Sequence, residues 1–268
     1  MKAFRVLDPN LPDLCTRGFC GLAVMTKAPQ AGRVKTRLVP LLTPEEAAEL
    51  NKCFLRDTAV AISLCCSGGL QPPIASNARL HPGAHGAPLQ CCGIAVYTPI
   101  GAESSYDGIL PADFSLLPQR GDKFGERLYF ATEDLFKCGF ESVCLIDSDS
   151  PTVPAENFAE AVELLSTHED RIVLGPSDDG GYYLIGMKRP HRHLFEQIDW
   201  STERVLKQTI QRAIEIGLEV KLLSVGYDVD DDASLHRLCN ELLADTTSAD
   251  LAPYTREFLA RLTAQKEL

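Results

Sequence analysis

The sequence predicts an α/β fold: a mainly parallel sheet covered by helices on both faces. Two observations carry that expectation. Short apolar runs alternate with stretches of helical spacing, the order that builds parallel strands joined by crossover helices. The runs are also apolar throughout rather than at every second residue, which suits strands buried on both faces. At 268 residues the chain is long enough for one such domain with a substantial core.

In chain order, residues 19–26 (FCGLAVMT) read as a buried first strand. Residues 27–40 follow as a loop rich in Pro, Gly and basic side chains. Thr43-Pro44-Glu45-Glu46 is a capping-box signature with proline at the first helical position. The helix it opens extends to about Cys66. Residues 67–90 then lose all periodicity in Gly, Pro, Ser and His, the composition of an irregular insertion. Further strands are expected at 93–98, 142–146, 171–174, 182–187 and 219–225. Helices are expected from the 119–128 segment to Cys138, over 154–167, and from a cap at Ser201 or Thr202 to near Gly217, with one or two more closing the chain. No repeat or linker appears, so residues 19–268 are read as a single domain and residues 1–18 as an N-terminal extension.

Composition narrows the partners. The formal net charge of −11 makes the average surface repel nucleic-acid backbones. A phosphate ligand would therefore need basic residues gathered locally. No apolar run is long enough to span a membrane. Asp8, Pro9, Pro12 and Asp13 break up any signal-peptide core, so a cytoplasmic location is expected. The ten cysteines make no C-x-x-C zinc pattern. Cys53, Cys138, Cys144 and Cys239 sit inside apolar helix or strand patterns, where a free thiol acts as a small core residue. The adjacent pairs Cys65-Cys66 and Cys91-Cys92 leave a thiol or metal role open.

Four segments carry candidate chemistry. Asp147-Ser148-Asp149 ends the 142–146 strand, and alternate residues of an extended segment point the same way. Two carboxylates beyond the carboxyl end of a strand suit a hard cation, Mg²⁺ or Mn²⁺, with positions open for phosphate oxygens. Capping of the following helix is the plain alternative. The loop after the first strand gathers Arg33, Lys35 and Arg37 around Gly32, which allows backbone to approach a ligand. It lacks the spacing of a P-loop, and a solvated basic loop is its plain reading. Asp178-Asp179-Gly180-Gly181 is a turn able to bring backbone near a ligand, or simply a turn. In 228–232, Asp231 and Asp232 fit a helix N-terminus, while Asp228 and Asp230 are free to join a metal site. His191 and His193 read as surface residues.

Five motifs in order resemble one family. They are Lys-Ala-Pro-x-x-Gly-x-Val-Lys-Thr-Arg-Leu, Gly-Asp-x-x-Gly-Glu-Arg-Leu, Asp-Ser-Asp-Ser-Pro, Asp-Gly-Gly-Tyr-Tyr-Leu-Ile-Gly and Trp-Ser-Thr. Together they resemble the bacterial DUF2064 family of GT-A-like transferases (transferase 1, radical-SAM/selenodomain-associated). That family is similar in its core to molybdenum-cofactor and phospholactate nucleotidylyltransferases. The resemblance implies a GT-A three-layer α/β/α sandwich with a Rossmann-like sheet. Asp147 stands where relatives often carry glycine, which makes Asp149 the safer metal ligand.

The resemblance also implies the chemistry. The donor would be a nucleotide-diphospho-sugar or a nucleoside triphosphate, the acceptor an unknown small molecule. A cation held by Asp147, Asp149, Asp228 and Asp230 would neutralise the leaving diphosphate. Ala28, Gly32, Arg33, Lys35, Arg37, Gly121, Asp122, Arg127, Gly180 and Gly181 would line the nucleotide or phosphate site, with Lys35 also catalytic. Asp179 would position or deprotonate the acceptor hydroxyl. Glycosyl transfer is the first expectation and nucleotidyl transfer with release of pyrophosphate the second. A nucleotide-binding protein without turnover is a third. The oligomeric state is left open, with a homodimer among the options.

Overall fold

The computed structural model describes residues 4–11, 16–39, 41–67, 90–244 and 248–266. The insertion expected at 67–90 lies almost wholly outside the described residues. Eight strands form one sheet in the order β1-β4-β3-β2-β5-β7-β6-β8. They are β1 (Arg5–Val6), β2 (Cys20–Lys27), β3 (Cys91–Thr98), β4 (Ser115–Pro118), β5 (Ser142–Ile146), β6 (Arg171–Pro176), β7 (Tyr182–Met187) and β8 (Glu219–Leu222). All neighbouring pairs are parallel except those made by β7, which runs antiparallel between β5 and β6. The helices are α1 (Pro44–Cys66), α2 (Phe124–Lys137), α3 (Ala155–Leu165), α4 (Val205–Glu215), α5 (Asp232–Leu242) and α6 (Pro253–Lys266).

The pleat decides which helix covers which face. Leu22 and Val24 of β2, Cys144 and Ile146 of β5 and Val173 of β6 pack with Leu55, Ala59 and Ile62 of α1 and Phe158, Val162 and Leu165 of α3. The intervening Ala23, Val143, Leu145, Ile172 and Leu174 pack on the opposite face with Leu128, Ala131 and Leu135 of α2 and Ala213 of α4. Successive strand side chains alternate between faces, so two helix layers need both sets apolar. The result is a three-layer α/β/α sandwich. A satellite core joins Leu50 and Phe54 of α1 to Leu235, Leu238, Leu259 and Leu262 of α5 and α6.

The ends of the helices follow local chemistry. Thr43 and Glu46 close the capping box of α1 reciprocally: Glu46 N–H donates to the Thr43 hydroxyl at 3.1 Å and Thr43 N–H to the Glu46 carboxylate at 2.7 Å. Such a cap is worth about 1 kcal/mol. Asp57 of α1 is buried and accepts from the N–H groups of Tyr254 and Thr255 at 3.1 and 2.8 Å. It thereby caps α6 from a distant helix.

Some boundaries differ from expectation. α4 begins at Val205, after Arg204, rather than at Ser201 or Thr202. Ser201 takes a left-handed backbone (φ 63) and the Thr202 hydroxyl donates to the Asp199 carbonyl at 2.7 Å, so residues 199–204 are spent on a turn first. β8 ends at Leu222 and is largely exposed, because it is an edge strand paired on one side by β6. β1 and β4 are too short to leave a periodic signal. Arg5–Val6 lengthens the sheet by pairing with β4.

Candidate active site

The carboxyl ends of β2, β5 and β6 converge with the loop after β8. Three backbone bonds tie these segments together. Val229 N–H donates to the Asp149 carbonyl at 2.9 Å, Asp178 N–H to Gly226 at 3.1 Å, and Asp147 N–H to Tyr183 at 2.9 Å. Residues far apart in sequence thus meet: Asp147 and Asp149 after β5, Asp179 after β6, Asp228 and Asp230 after β8. This is the crevice where open α/β sheets take ligands.

Of the chambers that open there, two divide the charged candidates between them. The larger, about 480 Å³, is lined by Arg37, Asp147, Asp179, Gly181, Asp228 and Asp230, with Phe124, Tyr182, Trp200 and Glu203 making an aromatic and acidic wall. The smaller, about 250 Å³, is lined by Lys27, Arg33, Lys35, Arg37, Asn51, Ser148, Asp149 and Asp230. It collects the cations of the loop after β2. Arg37 and Asp230 face both chambers. One is mainly anionic, the other mainly cationic, and they share a wall.

Lys35 braces that wall. Its side chain is only 4% exposed and its Nζ meets Asp149 Oδ1 at 2.7 Å and Asp230 Oδ1 at 3.0 Å. It also donates to the Val229 carbonyl at 2.6 Å and sits 5.3 Å from the Phe54 ring centroid. Burial works against its charge, but Asp149 and Asp230 outweigh that and hold its pKa above the ordinary lysine value. The backbone at Lys35 is left-handed (φ 47), which turns the side chain inward from an otherwise exposed loop. Its three donors are all engaged by protein groups, so its role here is to hold carboxylates.

Asp147 lies in the larger chamber beside like charges. Burial, with Asp149 and then Asp228 nearby, pushes its carboxyl up to about 8. Ser150 opposes this by donating its hydroxyl to Asp147 Oδ2 at 2.8 Å and its N–H to Oδ1 at 3.2 Å. Asp147 thus ties the 147–150 turn rather than capping α3, which starts at Ala155 after Pro154 without a side-chain cap. Asp228 is likewise raised, by burial and by Asp179 and Asp230, while accepting from the Ser177 hydroxyl at 3.1 Å. Asp179 accepts from Gly181 N–H at 2.8 Å and faces the chamber.

Does a divalent cation fit? The donors are all carboxylates, and Asp147 and Asp228 are both raised by burial and neighbouring aspartates, the signature of negative charge short of compensation. That chemistry fits a hard cation. Among the described residues, however, no three His, Cys, Asp or Glu side chains already close around one. Asp149, read from sequence as the safer ligand, points at Lys35; Asp147 and Asp228 face the larger chamber.

The remaining sequence candidates divide. Arg33, Arg37 and Gly181 line the chambers. Ala28 is buried and donates its N–H to the Thr98 carbonyl, and Gly32 is an exposed turn glycine with φ 70. Gly121 and Asp122 give their carbonyls to the Arg127 guanidinium at 3.2 Å each, a brace for the start of α2 outside both chambers. Gly180 has φ 90, and a Cβ there would lie 2.3 Å from the Glu203 carbonyl. A Cβ on Gly125 would lie 2.7 Å from Trp200 Nε1. Both motif glycines therefore make room for the 200–203 turn. His191 and His193 sit on the surface beside Asp170 and Glu215.

Sequence reasoning missed Phe124, Glu203, Lys27 and Asn51. Phe124 is 55% exposed and meets Trp200 edge to face, ring centroids 5.0 Å apart. An exposed aromatic inside the Gly-Asp-x-x-Gly-Glu motif was the available signal.

Residues 88–202 match the family model "Uncharacterized protein conserved in bacteria (DUF2064)". The resemblance drawn from the motifs is met over that segment, which holds four of the five; the Lys27–Leu38 motif lies before it. A crystal structure from Desulfovibrio desulfuricans G20, assigned as a nucleotide-diphospho-sugar transferase, aligns with TM-score 0.70 and 26% identity over 92% of this chain and 95% of that one. Two remote likenesses are the inositol-1-phosphate CTP transferase from T. maritima and glucosyl-3-phosphoglycerate synthase from Mycobacterium tuberculosis. The first has TM-score 0.46 and 15% identity over 92% of this chain and 98% of that one. The second, solved with Mn²⁺, UDP and glucosyl-3-phosphoglycerate, has TM-score 0.45 and 12% identity over 93% and 80%. No curated protein matches the chain by sequence. The fold is that of the nucleotide-diphospho-sugar transferases.

Proposed function

We propose that this protein is a nucleotide-dependent transferase that moves a glycosyl group from a nucleotide-diphospho-sugar to a small acceptor, with a divalent cation as cofactor. One observation carries the reading: a cationic chamber and an acidic, aromatic-walled chamber share Arg37 and Asp230, and Lys35 ties Asp230 to Asp149. A donor with charged phosphates and a polyhydroxylated group has those two requirements at its two ends. The likeness to the Desulfovibrio transferase supports the donor class.

Arg33 and Arg37 would bind phosphate oxygens, since both are exposed toward the cationic side. Lys35 would hold Asp149 and Asp230 in place as a positioning residue. Asp147 and Asp228, with Asp149 and Asp230 adjoining, would hold Mg²⁺ or Mn²⁺, which supplies charge neutralisation to the departing diphosphate. Asp179, anchored by the Gly181 N–H, would orient and deprotonate the acceptor hydroxyl. Trp200 and Phe124 would cover the transferred group and exclude water.

Nucleotidyl transfer from a nucleoside triphosphate is the second reading. Lys27, Arg33 and Arg37 around one small chamber favour it, because a triphosphate carries more charge to match.

Thermal-shift measurements with UDP-, GDP- and ADP-sugars and with GTP, CTP and ATP, each with and without Mn²⁺ or Mg²⁺, test both. A ligand that binds only the native state raises the midpoint by mass action. The expected result is a metal-dependent shift with a sugar nucleotide, lost in Asp147→Asn and Asp228→Asn. A triphosphate winning instead selects nucleotidyl transfer. Binding with no product over any acceptor set selects a non-catalytic nucleotide binder, and no shift at all overturns the reading.

A further inference from the structure

The other end of the sheet holds a cluster of thiols that the transferase reading does not use. Cys65, in the last turn of α1, and Cys91, the first residue of β3, are both buried, with their sulfurs 3.7 Å apart. Cys66 is also within hydrogen-bond reach of Cys91 and is half-buried, so it opens toward solvent. Cys20 and Cys144 lie behind them in the same core. Among the described residues no cysteine is in a disulfide and no set of three ligand side chains is arranged for a metal. What the arrangement does offer is proximity. Two sulfurs in contact at 3.7 Å need approach by only about 1.7 Å to reach bonding distance.

We propose that Cys65 and Cys91 are a disulfide-forming pair, oxidised by a small-molecule disulfide of the glutathione type that enters at Cys66. The Cys66 thiolate attacks the oxidant, making a mixed disulfide and releasing one thiol. The Cys91 thiolate then attacks the Cys66 sulfur and expels the second thiol. Finally the Cys65 thiolate attacks Cys91 and returns Cys66 to the thiol. Two protein thiols are oxidised, one oxidant disulfide is reduced to two thiols, and the protons pass to the departing thiolates. Cys65 is held above the usual thiol range by the Cys91 thiol and by burial, so the exchange accelerates as pH rises.

The bond joins the end of α1 to the start of β3, residues 26 positions apart. A ring of that size restricts the unfolded chain, so oxidation raises stability. The site of transfer lies beyond the far end of β3, seven residues along the strand, or about 23 Å at 3.3 Å per residue. Oxidation therefore leaves nucleotide binding unchanged.

The test uses the full chain, reduced and then incubated with oxidised glutathione at mildly alkaline pH. Remaining thiols are alkylated under denaturing conditions and peptides sequenced by mass spectrometry without reduction. The expected result is Cys91 linked to Cys65 with Cys66 alkylated, and a thermal midpoint several degrees higher that dithiothreitol reverses. Cys66→Ser should keep the link but form it several-fold more slowly; Cys65→Ser should arrest with Cys91 linked to Cys66. Alkylated Cys91 in the oxidised protein, a vicinal Cys65–Cys66 disulfide, or a Cys66–Cys91 disulfide as the end product in the unaltered chain overturns the proposal. If Cys65→Ser does not fold, the peptide assignment in the unaltered chain and in Cys66→Ser still decides it.

Discussion

Beyond the carboxyl ends of β5, β6 and β8 the chain keeps like charges together under partial burial, whereas at the amino ends of β2 and β3 it fills space with thiols and apolar side chains. The first region is electrostatically unrelaxed: burial and neighbouring aspartates raise the pKa of both Asp147 and Asp228, and a single lysine holds two of the neighbouring carboxylates. The second has no such conflict, since a buried neutral thiol costs little. Conflict retained at one end of a well-packed sheet marks where a ligand is meant to complete the structure.

Variants at the two kinds of site should behave oppositely. Asp147→Asn is expected to lower turnover by about 100-fold or more without lowering the thermal midpoint, because it removes a buried repelled carboxylate. A midpoint that falls with activity would make Asp147 a structural cap instead. Lys35→Met should cost about 2–3 kcal/mol in urea unfolding, less than a fully buried pair because Asp149 and Asp230 keep 35% and 43% of their side-chain surface. Combining it with Asp149→Asn should recover part of that loss, and strict additivity would remove Lys35 from its place as a strut.

Smaller effects sharpen the contrast. Gly125→Ala must push Trp200 or Phe195 aside and should cost about 1–3 kcal/mol while weakening ligand binding. Asp57→Ala uncaps α6 and should cost about 1–2 kcal/mol with ligand binding untouched. Glu133 is the least consequential. Lys137, with Tyr129 and Arg120, holds its carboxyl at about 2, below the ordinary 4.5. Its stabilisation is complete above pH 4.5 and lost as pH falls toward 2. Solvent screening limits it to below about 1 kcal/mol, so Glu133→Gln should flatten only that acid limb.

The motifs made the site legible to a degree set by how local each feature is. Asp147, Asp179, Gly181, Arg33 and Arg37 were visible because each sits next to a strand end in sequence, and strand ends are where such sheets bind. Phe124, Glu203 and Asn51 were not, because they reach the chambers from two helices and a turn whose packing no local pattern records. The motif glycines Gly125 and Gly180 were legible as residues and illegible in purpose, since their reason is the Trp200–Glu203 turn far along the chain.

By itself the sequence determined the alternation of strands and helices, the capping box of α1, and the placing of acids and cations at strand ends. These are consequences of hydrophobic period and backbone hydrogen bonding within a few residues. Tertiary structure alone decided three things: the reversal of β7 between β5 and β6, the pairing of Lys35 with Asp230 across 195 positions, and the meeting of Cys65 with Cys91. Each depends on which faces are brought together in the closed sandwich, and that is settled by packing the whole core at once.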